Sequence, residues 1–284
     1  VPTLVKSIFA SVVTTTDELA AINTVLVAIP KQNGPQAQAV AAFISSKLAR
    51  FYFVVRLRST VIQGNYATIY PRNLDNLPWV RNLDSRIEQR LVDGYNELAR
   101  LAARAKNNPN EWLLSEVETQ IVTSRYKLSD RNLGLNFSNW SPEDVQVAEL
   151  SLDENSIRAG LFSLELIDAD VAELVYKLLT LNVDEETTIS RGIIQKLLVP
   201  QDYSALMQAY RQRFDSFQQV ESDFFAALAQ IDQTVYEMFE LTDAEKAHIE
   251  TRLTSFPLNK LQPRYPWQTV KPRPIKAYTS DLFA

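Results

Sequence analysis

A chain of 284 residues with 46% apolar and 22% charged content can bury one large core or two ordinary ones, and it is too apolar for a disordered protein. The absence of cysteine excludes disulfides and thiolate metal sites, while six glycines and the single histidine, His248, leave little for phosphate loops or histidine catalysis. No apolar run approaches the ~18 residues of a membrane span, and no signal peptide opens the chain, so a cytoplasmic protein without membrane attachment is expected. The start at Val1 rather than Met leads to the expectation of an excised fragment. Net charge is −5, unevenly spread. Residues 1–110 carry 13 Lys/Arg against 7 Asp/Glu, residues 111–253 carry 11 against 26, and residues 254–284 carry 5 against 1. A basic first part can face nucleic acid despite an acidic total, because binding depends on local surface charge.

In chain order, Leu4–Val13 and Thr24–Ile29 have the β-branched enrichment of strands, and Ala67–Tyr70 reads as another. Val40 to about Val55 reads as one helix between them. A long helix follows Asp84, with Ser85-x-x-Glu88 as capping box, and runs to about Lys106. Its stripe is Ile87, Leu91, Tyr95, Leu98 and Ala102. Val145–Leu152 and Phe162–Ile167 alternate as half-buried strands, with Ser141-Pro142-Glu143 opening a helical turn before them. Val171–Leu181 is helical. A second long helix runs from about Ser204 to Phe239, its seam being Leu206, Tyr210, Phe214, Phe217, Glu221, Phe224, Leu228, Ile231, Val235 and Met238. Glu221 breaks that seam, and Val220 covers the gap. Thr242-x-x-Glu245 caps a short surface helix that carries His248. The last thirty residues hold Pro257, Pro263, Pro266, Pro272 and Pro274 with Tyr265, Trp267 and Tyr278, an extended tail laid on the body through its aromatics.

Each long helix is preceded by a similar passage. Ile69, Leu74 and Leu77 match Ile189, Ile194 and Leu197 in spacing, a proline follows each set (Pro78, and two residues later in the second, Pro200), and each set follows a helical segment. A twofold internal pseudo-repeat accounts for this. The fold class expected is α+β and helix-dominated, with two mixed lobes joined by two long antiparallel, coiled-coil-like helices. The divisions are a first lobe 1–81, a spacer helix 82–109, an acidic lobe 110–202, a second long helix with a short capping helix 203–254, and a Pro-rich tail 255–284.

Catalytic chemistry finds no foothold. There is no Gly-x-Gly-x-x-Gly or Walker loop. Asn108-Pro109-Asn110 lacks the second proline and the aromatic of an amino-methyltransferase box. The acidic groups Asp184-Glu185-Glu186 and Glu165/Asp168/Asp170 read as solvated surface rather than as metal or acid–base sites. No catalytic or metal residue is assigned.

Ala42-Phe-Ile-Ser-Ser-Lys-Leu-Ala-Arg-Phe-Tyr52 resembles the leucine-asparagine-serine-x-leucine-x-x-aromatic helix of target-recognition domains in bacterial restriction–modification systems. Ile69 to Pro78 matches the pattern that follows it there. Ile231 to Glu250, through Leu241-Thr242-x-x-Glu245, resembles the terminal helix of fused type II restriction–modification enzymes that methylate adenine. The departures are Ile-Ser-Ser in place of Leu-Asn-Ser, and residues 110–200, which match only through the pseudo-repeat. The resemblance implies a target-recognition (specificity) region that clamps double-stranded DNA and positions a methyltransferase, in cis or in trans, over a flipped adenine. S-adenosylmethionine, with magnesium as a further candidate, then belongs to the missing catalytic part, and this chain holds no cofactor. The alternatives are a separate specificity subunit of a multi-subunit system, or a helical scaffold without a DNA role.

Within that frame Arg50, Arg56 and Arg58 end a helix and enter a polar stretch containing Gln63, Asn65 and Tyr66, with Arg72 and Asn73 beyond. Arg, Gln and Asn can make paired hydrogen bonds to guanine or adenine edges. These eight residues are the expected DNA contacts. Arg191 and Lys196 hold the equivalent place in the second half, amid acidic neighbours.

Overall fold

The computed structural model describes residues 4–5, 34–57, 61–62, 66–68, 76–130, 133–138, 145–160, 162–181, 188–255 and 275–283. It is helix-dominated with antiparallel sheets, as an α+β chain. In order, the elements are β1 (Leu4–Val5), α1 (Ala37–Ser45), α2 (Lys47–Leu57), β2 (Val61–Ile62), β3 (Tyr66–Thr68), α3 (Ser85–Ala105) and α4 (Pro109–Thr123). There follow β4 (Arg125–Lys127), β5 (Asn136–Ser138), β6 (Val145–Gln146), β7 (Ser151–Asp153), β8 (Ser156–Ala159) and β9 (Phe162–Glu165). The chain continues through α5 (Ala169–Thr180), β10 (Thr188–Ile189), α6 (Arg191–Lys196), β11 (Leu198–Pro200), α7 (Tyr203–Met238) and α8 (Asp243–Ser255). Short 3-10 turns at Ile275–Tyr278 and Ser280–Phe283 close it. Among the described residues no helix is long and apolar enough to cross a membrane.

The chain divides into two compact units. One comprises residues 1–104 and 220–265, the other 105–219 and 266–284. In the first unit the helix expected over Val40–Val55 is in fact two. Ser46, with ψ 159°, ends α1, and its hydroxyl accepts the Ala49 N–H at 3.3 Å to begin α2. A serine that can cap has interrupted an otherwise continuous helical pattern. Ala39, Ala42, Phe43, Ala49 and Phe53 are buried, and Phe43 meets Trp79 edge-on at 5.6 Å.

α3 starts one residue earlier in its capping than Ser85-x-x-Glu88 implies. Asp84 accepts the Arg86 N–H at 2.7 Å, and the Glu88 carboxylate accepts the Gln36 N–H instead of closing a box. Of its expected stripe Leu91 and Leu98 are buried while Ile87, Tyr95 and Ala102 are half-buried, and Val92 and Leu101 are buried beside them. The second half of α7 runs antiparallel beside it, since Arg90 pairs with Glu237 and Gly94 faces Ile231. Val220, Phe224, Ile231 and Val235 are buried on α7, with Val220 covering the break at Glu221. α7 ends in a Schellman motif: the Leu241 N–H reaches the Tyr236 carbonyl and the Glu240 N–H that of Glu237, with Glu240 at φ 52°. The Thr242–Glu245 capping box then forms as expected, with the Thr242 N–H donating to Glu245 at 2.8 Å. That exposed hydrogen bonding holds the Glu245 carboxyl below its usual range.

The second unit has one continuous apolar core, built from α4, α5, the first turns of α7, and the sheets. A four-stranded sheet in the order β5-β9-β8-β7 places Ile157 opposite Leu164, both fully buried. The β8–β9 hairpin turns at Gly160, whose φ of 59° is a left-handed value that L side chains rarely adopt. The strand expected over Val145–Leu152 is interrupted: β6 pairs with β10, a 3-10 turn at Val147–Glu149 buries Val147, and only then does β7 begin. Asn108-Pro109-Asn110 is a helix start. Asn108 accepts the Asn110 N–H at 2.9 Å, Pro109 occupies the first turn, and Asn110 accepts the buried Tyr210 hydroxyl at 2.7 Å. Part of the tail belongs to this core: Tyr278 is fully buried, and Leu197 bridges Thr279.

A Cβ on Gly94 would lie 2.8 Å from Cγ1 of Ile231, a buried and rotamerically stiff side chain. Gly94→Ala should therefore lower the denaturation midpoint. Overpacking of about 1–3 kcal/mol outweighs the ~1 kcal/mol that helix propensity returns. Ile231→Ala in the same chain should cancel part of that loss in a double-mutant cycle. Tyr278→Ala should cost about 3–5 kcal/mol by thermal or urea unfolding. Tyr278→Phe, which removes only the hydroxyl and its bonds such as that to Glu118 at 3.2 Å, should cost about 0.5–1.5 kcal/mol.

Candidate nucleic-acid interface

The expected DNA contacts distribute as follows. Arg50 lies in the first turn of α2 rather than at its end, because the helix restarts at Ser46. Arg56 lies in the last turn of α2, and Tyr66 opens β3, which pairs antiparallel with β2 through Ile62↔Tyr66. Arg58, Gln63, Asn65, Arg72 and Asn73 fall outside the described residues. So do Asp184, Glu185, Glu186 and the Ser141-Pro142-Glu143 turn.

Arg50 belongs to a polar cluster that residue order alone does not bring together. Its half-buried guanidinium has Nε buried without a hydrogen-bond partner, in the field of Asp232 and Tyr236. Asp232, on α7, is 6% exposed and accepts the Lys47 N–H at 2.7 Å. The Lys47 ammonium pairs with Glu250 of α8 at 2.8 Å, and the Tyr236 hydroxyl donates to that same Glu250 at 3.5 Å. Burial pushes the Asp232 carboxyl up to about 6, against the Lys47 N–H and the Lys47 and Arg50 charges, which favour the anion. Burial likewise raises the Tyr236 phenol. The signal for Asp232 was present: it is a carboxylate between Ile231 and the other buried positions of the α7 seam. The seam pattern hid it, because one polar residue beside a stripe usually faces water.

The second half's candidates are occupied. Arg191 lies 4.5 Å over the Phe137 ring, and Lys196 pairs with Asp281 at 3.2 Å. The acidic group there is structural. Asp168 caps α5 by accepting the Val171 N–H at 3.0 Å, and also accepts the Tyr203 hydroxyl at 2.8 Å. Burial and that bond push the Tyr203 phenol up to about 12. Arg211 bridges Asp170 and Glu173, each at 2.7 Å. Lys177 sits 5.6 Å from the rings of both Tyr210 and Phe214, and burial lowers its ammonium pKa against the pull of Glu173. His248 is exposed on α8 and touches Phe51 edge-on. Among the described residues no three His, Cys, Asp or Glu side chains are grouped to hold a metal ion.

No family model, curated protein or solved structure matches the chain. The geometry therefore has to carry any functional reading by itself. What it offers in the first unit is a helix, α2, whose start is tied to α7 and α8 by a buried carboxylate and an ion pair. Its end leads into the polar stretch that holds Gln63 and Asn65.

A carboxyl whose pKa is 3.8 unfolded and about 6 folded holds its proton more tightly in the fold. Its contribution is fully present below the unfolded value and is lost as pH rises through about 6. Asp232→Asn removes the titration and keeps an acceptor oxygen. Urea unfolding at a series of pH values should show the Asn variant gaining about 1–3 kcal/mol on the wild type between acid and neutral pH. A difference that stays flat with pH would mean that Asp232 titrates normally.

Proposed function

We propose that this chain is the sequence-recognition part of a bacterial restriction–modification enzyme acting on adenine in double-stranded DNA. The chemistry belongs to a methyltransferase domain in cis or in trans, which binds S-adenosylmethionine, and magnesium where a nuclease accompanies it. Such a role is cytoplasmic. The observation that supports this reading is the order of elements in each half. In each half a helix is followed by a passage that ends at a proline and then by a long helix: α2, Pro78 and α3 in the first, α5, Pro200 and α7 in the second, the passage holding β2 and β3 in one and β10, α6 and β11 in the other. A duplicated recognition lobe with long helices as spacer would have that order. In this reading α3 and α7 are the antiparallel, coiled-coil-like spacer, and the last turn of α2 with the stretch after it carries Arg56, Arg58, Gln63, Asn65, Tyr66, Arg72 and Asn73 to the grooves.

The charge of the first unit favours a second reading, a helical scaffold with no DNA role. Residues 1–104 and 220–265 hold 12 and 4 cations against 7 and 8 anions, so the unit carries 16 Lys/Arg against 15 Asp/Glu. The basic excess of the first 110 residues is offset once the acidic end of α7 and α8 fold beside it.

Duplex binding separates the two. Binding of a labelled mixed-sequence duplex should be detectable at ~50 mM salt and weaken steeply at higher salt, since neutralising phosphates releases counterions. Replacing both Arg56 and Arg58 by Ala should lower affinity and reduce the salt slope by about one for each phosphate left without its arginine. A chain that ignores duplex DNA at low salt leaves the scaffold reading.

A further inference from the structure

A helix leaves its first N–H groups without partners, and the usual remedy is a polar side chain immediately before it. α2 uses that remedy only in part. Ser46 serves the Ala49 N–H, whereas the Lys47 N–H donates to Asp232, 185 residues away in sequence. Burying a carboxylate is costly unless hydrogen bonds and charges offset it. Asp232 has both: the Lys47 N–H as donor, and the Lys47 and Arg50 cations facing it, with Glu250 opposing. The Ser46 joint is where α1 gives way to α2, so whatever holds the first turn of α2 also sets the direction of the whole helix.

We infer that Asp232 is a positioning residue, a cap supplied by α7 that fixes where α2 begins and so sets the direction in which the helix runs to its last turn, where Arg56 lies. The functional half of this inference rests on the DNA reading above, whereas the structural half stands without it. Oδ1 of Asp232 supplies the hydrogen-bond acceptor, which an amide oxygen can replace. The Ala side chain supplies none, so the Lys47 N–H would be left buried and unbonded or the turn would fray.

The test compares the wild-type chain, Asp232→Ala and Asp232→Asn by amide hydrogen exchange and by affinity for the same mixed-sequence duplex. Asp232→Ala should speed exchange in the first turn of α2 about tenfold, the equivalent of a lost cap, while leaving α3 protected. Asp232→Asn should restore protection. Duplex affinity should follow the same order, falling several-fold in the Ala variant and returning in the Asn variant. If the Ala variant does not fold, Asp232→Glu, with its acceptor displaced by one methylene, takes its place in the comparison. Unchanged exchange in α2, or an Asn variant that exchanges like Ala, overturns the cap. Exchange that responds while duplex affinity is equal in all three overturns the positioning role. Should the wild type itself ignore the duplex, it is the DNA reading that fails, and exchange alone decides whether Asp232 caps α2.

Discussion

A helix of 36 residues cannot bury its own apolar seam, and much of this fold follows from where α7 finds cover for each half of that seam. At 1.5 Å per residue it is roughly 54 Å long, longer than a small domain is wide. Leu206, Met207 and Tyr210 go into the core of the second unit, while Val220, Phe224, Ile231 and Val235 are buried in the first. Each fully buried Leu, Ile, Val or Phe contributes about 1.5–3 kcal/mol. Both cores therefore depend on this one element. The seam is a requirement on composition, and the sequence meets it everywhere except at Glu221, where the neighbouring Val220 is buried in its place.

Apolar seams hold helices together without fixing their register, because a shift of one turn, ~5.4 Å, presents an equivalent stripe. Register here comes from the few interactions that cannot be repeated a turn away. Gly94 admits Ile231 where any other residue would collide. Tyr210 finds Asn110, which is itself held at the start of α4 by the Asn108 cap. Asp232 meets the Lys47 N–H in the first turn of α2, where the helix has amides without an internal partner. Buried polar groups of this kind add little net stability, but a misregistered alternative leaves them unbonded and is penalised accordingly.

The same distinction explains what could be read from residue order. The long helices were legible because stripes such as Leu91–Leu98 and Ile231–Val235 are set by local spacing, and the box at Thr242–Glu245 because both its partners lie within one turn. The break at Ser46 was not, since serine competes with a helical pattern only when its hydroxyl and a tertiary acceptor both capture amides of the new helix. Nor was the interruption after β6, where burying Val147 in a 3-10 turn replaces regular alternation. α7 lacks the usual terminal glycine, and it ends with Glu240 in a left-handed conformation because Leu241 packs back on Tyr236. For the candidate site, local pattern placed Arg56 at the end of its helix, whereas Tyr66, read as part of a polar stretch, opens β3. The involvement of Arg50 with Asp232 needed an approach between residues 182 positions apart.

Charge was the signal most altered by folding. A basic first stretch suggests a field that draws in phosphates, but such a field is the sum over everything folded beside it. α7 and α8 bring Glu237 to Arg90 and Glu250 to Lys47. Those two cations are tied into the helix packing, at partly exposed sites where each pair contributes little to stability. A unit so nearly neutral gains little long-range pull on DNA from its net charge, so recognition by it would rest on local contacts presented in a defined direction. That places the weight on orientation rather than on charge, and orientation of α2 is what the Asp232 hydrogen bond controls.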